Sequence, residues 1–279
     1  KYAFSTGETL LHGYKKIGDY VLYIYLILSV VTIFTIQAAV TIVTAGLAIE
    51  LFGFTNNITI MSAIIIIICI LILTIGKYKL LDNFIKIVIL ILALSTLFAV
   101  GYASTNNIGE LNFNPIFPSE VSGIIFLAAF MGWMPAPLDV SIWQSIWTKE
   151  KLKINNKIKY KSALFDFNVG YISTVLLGLC FVALGAFVMF NSGQTFSNNG
   201  SEFANQLIKL YTANLGQNVK IFISVAAFTT MLSTTITCLD ASPRAMSQTL
   251  KLLNLKKISG YNTWILIISI ITMMIFLFF

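Results

Sequence analysis

The chain has 279 residues, 57% of them hydrophobic and 10% charged, with a mean hydropathy of +0.86 and a net charge of +7. That balance excludes a soluble enzyme or binding domain and points to a bilayer as solvent, where each crossing helix needs about 20 apolar residues. His12 is the only histidine, so a histidine-based metal or catalytic cluster is excluded too.

Residues 1–19 are polar, carry three glycines and read as a loop. Ser5-Thr6-Gly7-Glu8 has the composition of a capping box for a short amphipathic segment. A first apolar run, 21–48, opens behind Tyr20, Tyr23 and Tyr25, as an aromatic belt at the interface would. Gln37, Thr41 and Thr44 form a polar stripe inside it, either facing a bundle interior or lining a pathway. The run 58–75 is almost purely isoleucine and leucine, and reads as a lipid-facing or scaffolding helix. A third run covers 84–100, and the external-type loop 102–120 carries Glu110 and Glu120.

The fourth run, 124–147, contains Gly132-Trp133-Met134-Pro135-Ala136-Pro137-Leu138-Asp139. Proline has no N–H and clashes with the carbonyl four residues back. Pro135 therefore frees the carbonyl of Met131, and Pro137 that of Trp133. In lipid such carbonyls survive only where protein or a polar cavity satisfies them. The sequence thus predicts a helix broken near 131–137, with Gly132, Pro135 and Pro137 shaping the backbone. Free carbonyls, the Met134 thioether and the Asp139 carboxylate would then meet a cation, because prolines remove donors and expose acceptors. A thioether among oxygens biases the choice toward softer ions such as Mn²⁺ or Fe²⁺ over Mg²⁺.

Further runs follow at 169–190, 221–241 and 264–279, which makes seven. Asp166 stands near the start of the fifth, with lysines of the preceding loop at hand. Phe203, Leu207, Leu210 and Tyr211 recur at helical spacing and suggest a short interfacial helix. Thr230, Ser233, Thr234 and Thr237 fall on one face of the sixth run. They serve either as interhelical hydrogen-bond partners or as path lining. Asp240 with Arg244 at i+4 reads as an end cap and ion pair. Cys69, Cys180 and Cys238 all sit in apolar runs, as small buried hydrophobes do.

All basic residues but Lys209 and Lys220 lie in alternate loops. By the positive-inside rule those loops are cytoplasmic and the chain starts inside. The charge therefore reports orientation, and no nucleic-acid partner is expected.

Several stretches resemble the Nramp (natural-resistance-associated macrophage protein) divalent-metal transporters, in their bacterial Nramp-related branch. Residues 3–18 with Gln37-Ala38-Ala39-Val40-Thr41 are similar to that branch's loop and third helix. GWMPAPLDVSIWQSIW from Gly132 resembles its sixth helix, and TMLSTTITCLDASPRAM from Thr230 its eighth. The resemblance implies an all-α polytopic membrane protein, part of a five-plus-five inverted-repeat fold. One transmembrane transporter domain over 1–279 would hold helices three to nine, without helices 1–2 and the C-terminal end. It also implies that the Met131 carbonyl and the Met134 sulfur bind metal.

The chain departs from the family pattern in places. Ala136 and Pro137 replace the family's histidine and asparagine after Met-Pro, and no carboxylate lies within 21–48. The latter resembles the Nramp-related magnesium transporters, which do without proton coupling.

The expectation is a secondary transporter, not an enzyme. It would bring a divalent cation (Mn²⁺ or Fe²⁺, with Mg²⁺ close behind) through a bacterial plasma membrane into the cytoplasm, with no cofactor. Metal contacts fall to Met131, Met134 and Asp139, with Gln37 and Thr234 as lining residues. Two rival readings are an amino-acid or organic-amine carrier of the same fold and, more remotely, an intramembrane aspartyl protease built on Asp139 and Asp240.

Overall fold

The computed structural model describes residues 2–75, 77–106, 117–133, 139–154, 160–189, 197, 202, 203, 205, 206, 208, 209, 212, 220–255 and 258–278. Among these the ordered elements are all helical: α1 (Tyr2–Thr6), α2 (Leu10–Ile17), α3 (Asp19–Phe52), α4 (Ile58–Ile75), α5 (Lys77–Asn106), α6 (Val121–Trp133) and α7 (Asp139–Ile154). They continue with α8 (Tyr160–Leu184, extended by a π-helical turn Gly185–Met189), α9 (Lys220–Leu252) and α10 (Tyr261–Phe278). The described residues of every apolar run fall on these helices, and the protein is an all-α polytopic membrane protein. The Asp19–Phe52 and Tyr261–Phe278 helices and the segment Tyr160–Phe187 are each long and apolar enough to cross a bilayer. With 34 residues α3 is about 51 Å long, well beyond the ~30 Å hydrocarbon layer.

The core is a bundle of α3, α4, α9 and α10. Met61, Ile65 and Cys69 of α4 recur at i, i+4 and i+8 and pack on Ile33, Ala45 and Ala48 of α3, Ile236, Leu239 and Met246 of α9, and Ile265 and Ile268 of α10. Ala45 and Ala48 let the backbones approach, as small residues do between membrane helices. Ile64, Ile67 and Leu71 point outward, so α4 is a scaffold on one face and apolar on the other. α8 buries no residue in its most apolar stretch. Cys69 and Cys238 are buried free thiols.

Local chemistry sets the helix ends. Gly53 adopts a left-handed φ of 64° and its N–H bonds to Ile49 O at 2.9 Å, closing α3. Asn57 Oδ1 accepts from the N–H groups of Thr59 and Ile60 at 2.9 and 3.1 Å, capping α4. α9 ends with Asn254 at φ 62° and the Leu255 N–H bonded to Leu250 O at 2.8 Å.

The amphipathic segment near the start exists, but its boundary differs from the expected capping box. Ser5 and Thr6 close α1 by donating to Tyr2 O, and Gly7 at φ 69° turns the chain. Thr9 then stands at the start of α2. Its hydroxyl goes to His12 Nδ1 and Gln248 Oε1, both at 3.0 Å, rather than to the helix backbone. The Leu10 N–H donates to Ser145 Oγ at 3.1 Å, and Lys15 Nζ to Leu252 O. These bonds lay α2 across the ends of α7 and α9. The basic ends of α2, α7 and α9 are thereby brought to one side, as the loop charges require. Lys151 of α7 meets Asp166 of α8 at 3.0 Å, the lysine partner expected for that carboxylate.

One buried pair ties the bundle together at that side. Asp240 is 1% exposed, and its carboxylate lies 2.8 Å from Arg244 Nη2, the expected i,i+4 partner. The Tyr261 hydroxyl of α10 donates to Asp240 Oδ1 at 2.6 Å, and Trp147 Nε1 of α7 to Oδ2 at 3.2 Å. The Arg244 guanidinium also sits 4.7 Å over the Tyr261 ring. One carboxylate thus joins three helices.

Breaking a buried pair from one side leaves an uncompensated charge, at a cost of about 3–5 kcal/mol. Arg244→Met is expected to lower the thermal unfolding midpoint in detergent sharply, whereas Lys16→Ala, at an exposed bridge to Glu8, leaves it unchanged. Equal midpoints for the two variants would contradict this account. His12 lies outside the spans. Burial, then Lys149 and Lys16, disfavour its charged form, Glu8 opposing them, so its pKa is lowered. A lowered pKa stabilises docking above the ordinary histidine value of about 6.5 and loses that stability as pH falls through the lowered value. The protection of α2 amides, measured relative to their intrinsic exchange rates, should therefore fall from pH 7.5 to 5, and His12→Gln should flatten the dependence.

Candidate functional site

α6 ends at Trp133 and α7 starts at Asp139. Met134, Pro135 and Pro137 lie outside the described residues. Of the flanking candidates, Met131 is on α6 with its side chain 68% exposed, and Gly132 belongs to the same helix. Asp139 opens α7 and is only 8% exposed.

Packing of α7 explains why Asp139 is buried. Ile142, Trp143 and Ile146 form its inner face, and they join Leu22 and Tyr25 of α3 and Cys238, Ala241 and Ala245 of α9 in one apolar cluster. Asp139 stands one turn earlier on that same face, since positions i, i+3, i+4 and i+7 share a helix side. The Tyr25 phenol of α3 lies within electrostatic reach of its carboxylate. Tyr25 is thus not a member of the interfacial aromatic belt. Tyr20 and Tyr23 are exposed as the belt requires, while Tyr25 turns inward.

A second polar zone runs between α3 and α9. Gln37 is buried, and its Nε2 donates to Thr41 Oγ1 at 3.2 Å and to Thr235 O at 3.5 Å. Thr44 Oγ1 and Thr235 Oγ1 are 2.8 Å apart, and Thr44 can also donate to Val40 O at 2.7 Å. Each hydroxyl has one proton, so these bonds are alternatives within a connected set. Gln37, Thr41 and Thr44 are the stripe read from the sequence, at i, i+4 and i+7. Their partner on α9 is Thr235, a residue the expected hydroxyl face omits. Thr234 is half-buried and donates back to Thr230 O at 3.0 Å. The missed signal was the helix phase set by α3, which no hydroxyl spacing within α9 reveals.

Among the described residues no three His, Cys, Asp or Glu side chains gather as a metal cage. Asp139 and Asp240 do not make a carboxyl dyad either. Asp240 has both oxygens taken by Arg244, Tyr261 and Trp147.

Comparison with known proteins fits this arrangement. The family model described as "Natural resistance-associated macrophage protein-like" matches residues 2–279. The chain belongs to the Nramp family. An uncharacterised protein of Pasteurella multocida (strain Pm70) is 34% identical over 261 residues, covering 92% of this chain. The chain spans 60% of that relative's length. No solved structure matches. Of the residues singled out in this Nramp chain, Gln37 and Asp139 are buried, Thr234 is half-buried, and Met131 is exposed on the described surface.

Interhelical hydrogen bonds in membranes are worth about 0.6 kcal/mol on average. A double-mutant cycle on Thr44→Val and Thr235→Val should return a coupling near that size, because both changes remove the same bond. Strict additivity in thermal unfolding would show that the two hydroxyls are not partners.

Proposed function

We propose that this Nramp protein is a secondary transporter, moving a divalent cation (Mn²⁺ or Fe²⁺, with Mg²⁺ close behind) across the bacterial plasma membrane into the cytoplasm. The reading is carried by the match to the Nramp family over 2–279. It is strengthened by Asp139, a buried carboxylate with no basic partner among the described residues, beside a stretch in which two prolines expose main-chain acceptors. Ionisable groups inside a membrane are costly and mark ion paths.

The ion would meet the Met131 carbonyl, the Met134 sulfur and Asp139. Gly132, Pro135 and Pro137 hold the backbone open, and Gln37 and Thr234 serve as lining residues. In the five-plus-five arrangement, one helix bundle rocks about the broken helices to expose the ion to each side in turn. The gathering of basic helix ends on one side supports a cytoplasmic chain start. No bond is made or broken, and no cofactor takes part.

Uptake of Mn²⁺ by cells expressing the natural protein tests the assignment. Removing a metal ligand should cost at least about 10–100-fold, the loss seen even for groups that only support a ligand. Met134→Ala and Asp139→Asn are each expected to lose that much. Undiminished uptake in both would remove these residues from the path. Failure to bind either Mn²⁺ or Mg²⁺, with retention of an amino acid or amine, would instead favour the amine carrier.

A further inference from the structure

α7 is held in place differently from the helices around it. Its inner face, Ile142, Trp143 and Ile146, joins a strip of α9 made of Cys238, Ala241 and Ala245, which share one side of that helix at i, i+3 and i+7. Small side chains let two helices lie close, but they offer no ridge that would lock α7 at one height along the strip. Two hydrogen bonds at the basic end supply that lock. The Trp147 indole N–H donates to Asp240 Oδ2 at 3.2 Å, and Ser145 Oγ accepts from the Leu10 N–H at 3.1 Å.

Both bonds can open without stranding a buried charge. Asp240 keeps Arg244 Nη2 at 2.8 Å, Arg244 Nε at 2.9 Å and the Tyr261 hydroxyl at 2.6 Å, all from α9 and α10. The indole contact is the longest on that carboxylate and the most dispensable. Ser145 keeps its own donation to Ile142 O at 2.7 Å. Meanwhile α2 stays with α9, because Thr9 Oγ1 donates to Gln248 Oε1 at 3.0 Å and Lys15 Nζ to Leu252 O. The helices α2, α9 and α10 therefore form a platform bonded together without α7. The bridge from α7 to α8, Lys151 to Asp166, is exposed, and exposed pairs contribute little. At its other end α7 starts directly after the double-proline stretch.

We propose that Ser145 and Trp147 form a releasable latch. They are positioning residues that hold the far end of α7 on the platform of α2, α9 and α10, and their joint release lets α7 swing away and opens the basic side to the carried ion. This rests on the transporter reading above and adds to it the contacts that must break when the ion leaves. The strip beneath carries its own reporter, the free thiol of Cys238, only 6% exposed while α7 is seated.

The test measures how fast Cys238 reacts with a membrane-impermeant methanethiosulfonate reagent. The reagent is supplied to each face of sealed vesicles holding the full natural protein, with Cys238 as its one remaining cysteine. The rate follows the population of the open form. Trp147→Phe keeps a ring and removes the N–H, and Ser145→Ala removes the acceptor. Each is expected to speed the reaction from the basic face roughly threefold, the equilibrium shift of an average interhelical bond in a membrane, and the pair roughly tenfold. Thr44→Val, which removes a bond of the same kind between α3 and α9, should leave the rate unchanged. The unsubstituted latch should react faster while Mn²⁺ is being taken up. Ser145→Ala, the milder change, carries the test should Trp147→Phe not fold. An unchanged rate in the latch variants, or an equal rise in Thr44→Val, overturns the latch and leaves the transporter reading untouched. A rate indifferent to Mn²⁺ while the ion accumulates removes the latch from the transport cycle. A rise confined to the latch variants, in a protein that takes up neither Mn²⁺ nor Mg²⁺, keeps the latch and removes the transporter reading.

Discussion

Everything at the basic end of the molecule depends on how one charge is kept in an apolar bundle. Asp240 cannot be buried alone; Arg244 one turn on supplies the opposite sign, and Tyr261 and Trp147 fill the remaining oxygen positions. Those two partners come from α10 and α7, so satisfying the carboxylate also fixes where these helices end. Pro243 stands between the two charged residues within α9, and its missing N–H loosens the helix beside the pair. The α2 segment then closes over the same region through Thr9, Leu10 and Lys15. The packing of α7 against α9 therefore follows from electrostatics as well as from the apolar face of Ile142, Trp143 and Ile146.

The middle of the bundle solves a milder version of the problem. Gln37, Thr41, Thr44 and Thr235 are neutral, and each finds a carbonyl or a neighbouring hydroxyl. Such a seam holds α3 and α9 in register. It needs nothing from outside, which makes it a structural joint before it is a path. Asp139 differs in kind: it is ionisable, it is buried, and among the described residues no basic side chain pairs with it.

How much of this was legible in the sequence depends on the range of each interaction. The apolar runs could be read because lipid imposes a length on any crossing helix. The Asp240–Arg244 pair could be read because i and i+4 are neighbours on any helix. Tyr261 and Trp147 could not, being 21 and 93 residues from Asp240. Thr235 was passed over for Thr234 because adjacent residues differ by about 100° around a helix axis, and only α3 decides which of the two is covered. Tyr25 was grouped with Tyr20 and Tyr23 by proximity along the chain, although the same rotation turns it inward. The burial of Asp139 was not legible from the double-proline stretch beside it, because it depends on α3 and α9, which the chain places about a hundred residues away on either side.

The positive sign of the proposed ligand rests on that same proline chemistry. A site for an anion needs spare N–H groups, as the start of a helix or a glycine-rich turn provides. Pro135 and Pro137 delete two such donors and leave two carbonyls without their usual partners. Ala136, where the family carries a histidine, and Pro137, where it carries an asparagine, remove two polar side chains from the same place. On the proposed reading, what this stretch of sequence offers an ion is acceptors: carbonyl oxygens, a thioether and the Asp139 carboxylate. Such a set attracts a positive ion and repels a negative one whatever its detailed geometry. With fewer polar side chains in that stretch, the proposed site would draw more of the ion's stabilisation from Asp139, a carboxylate already buried by the packing of α7.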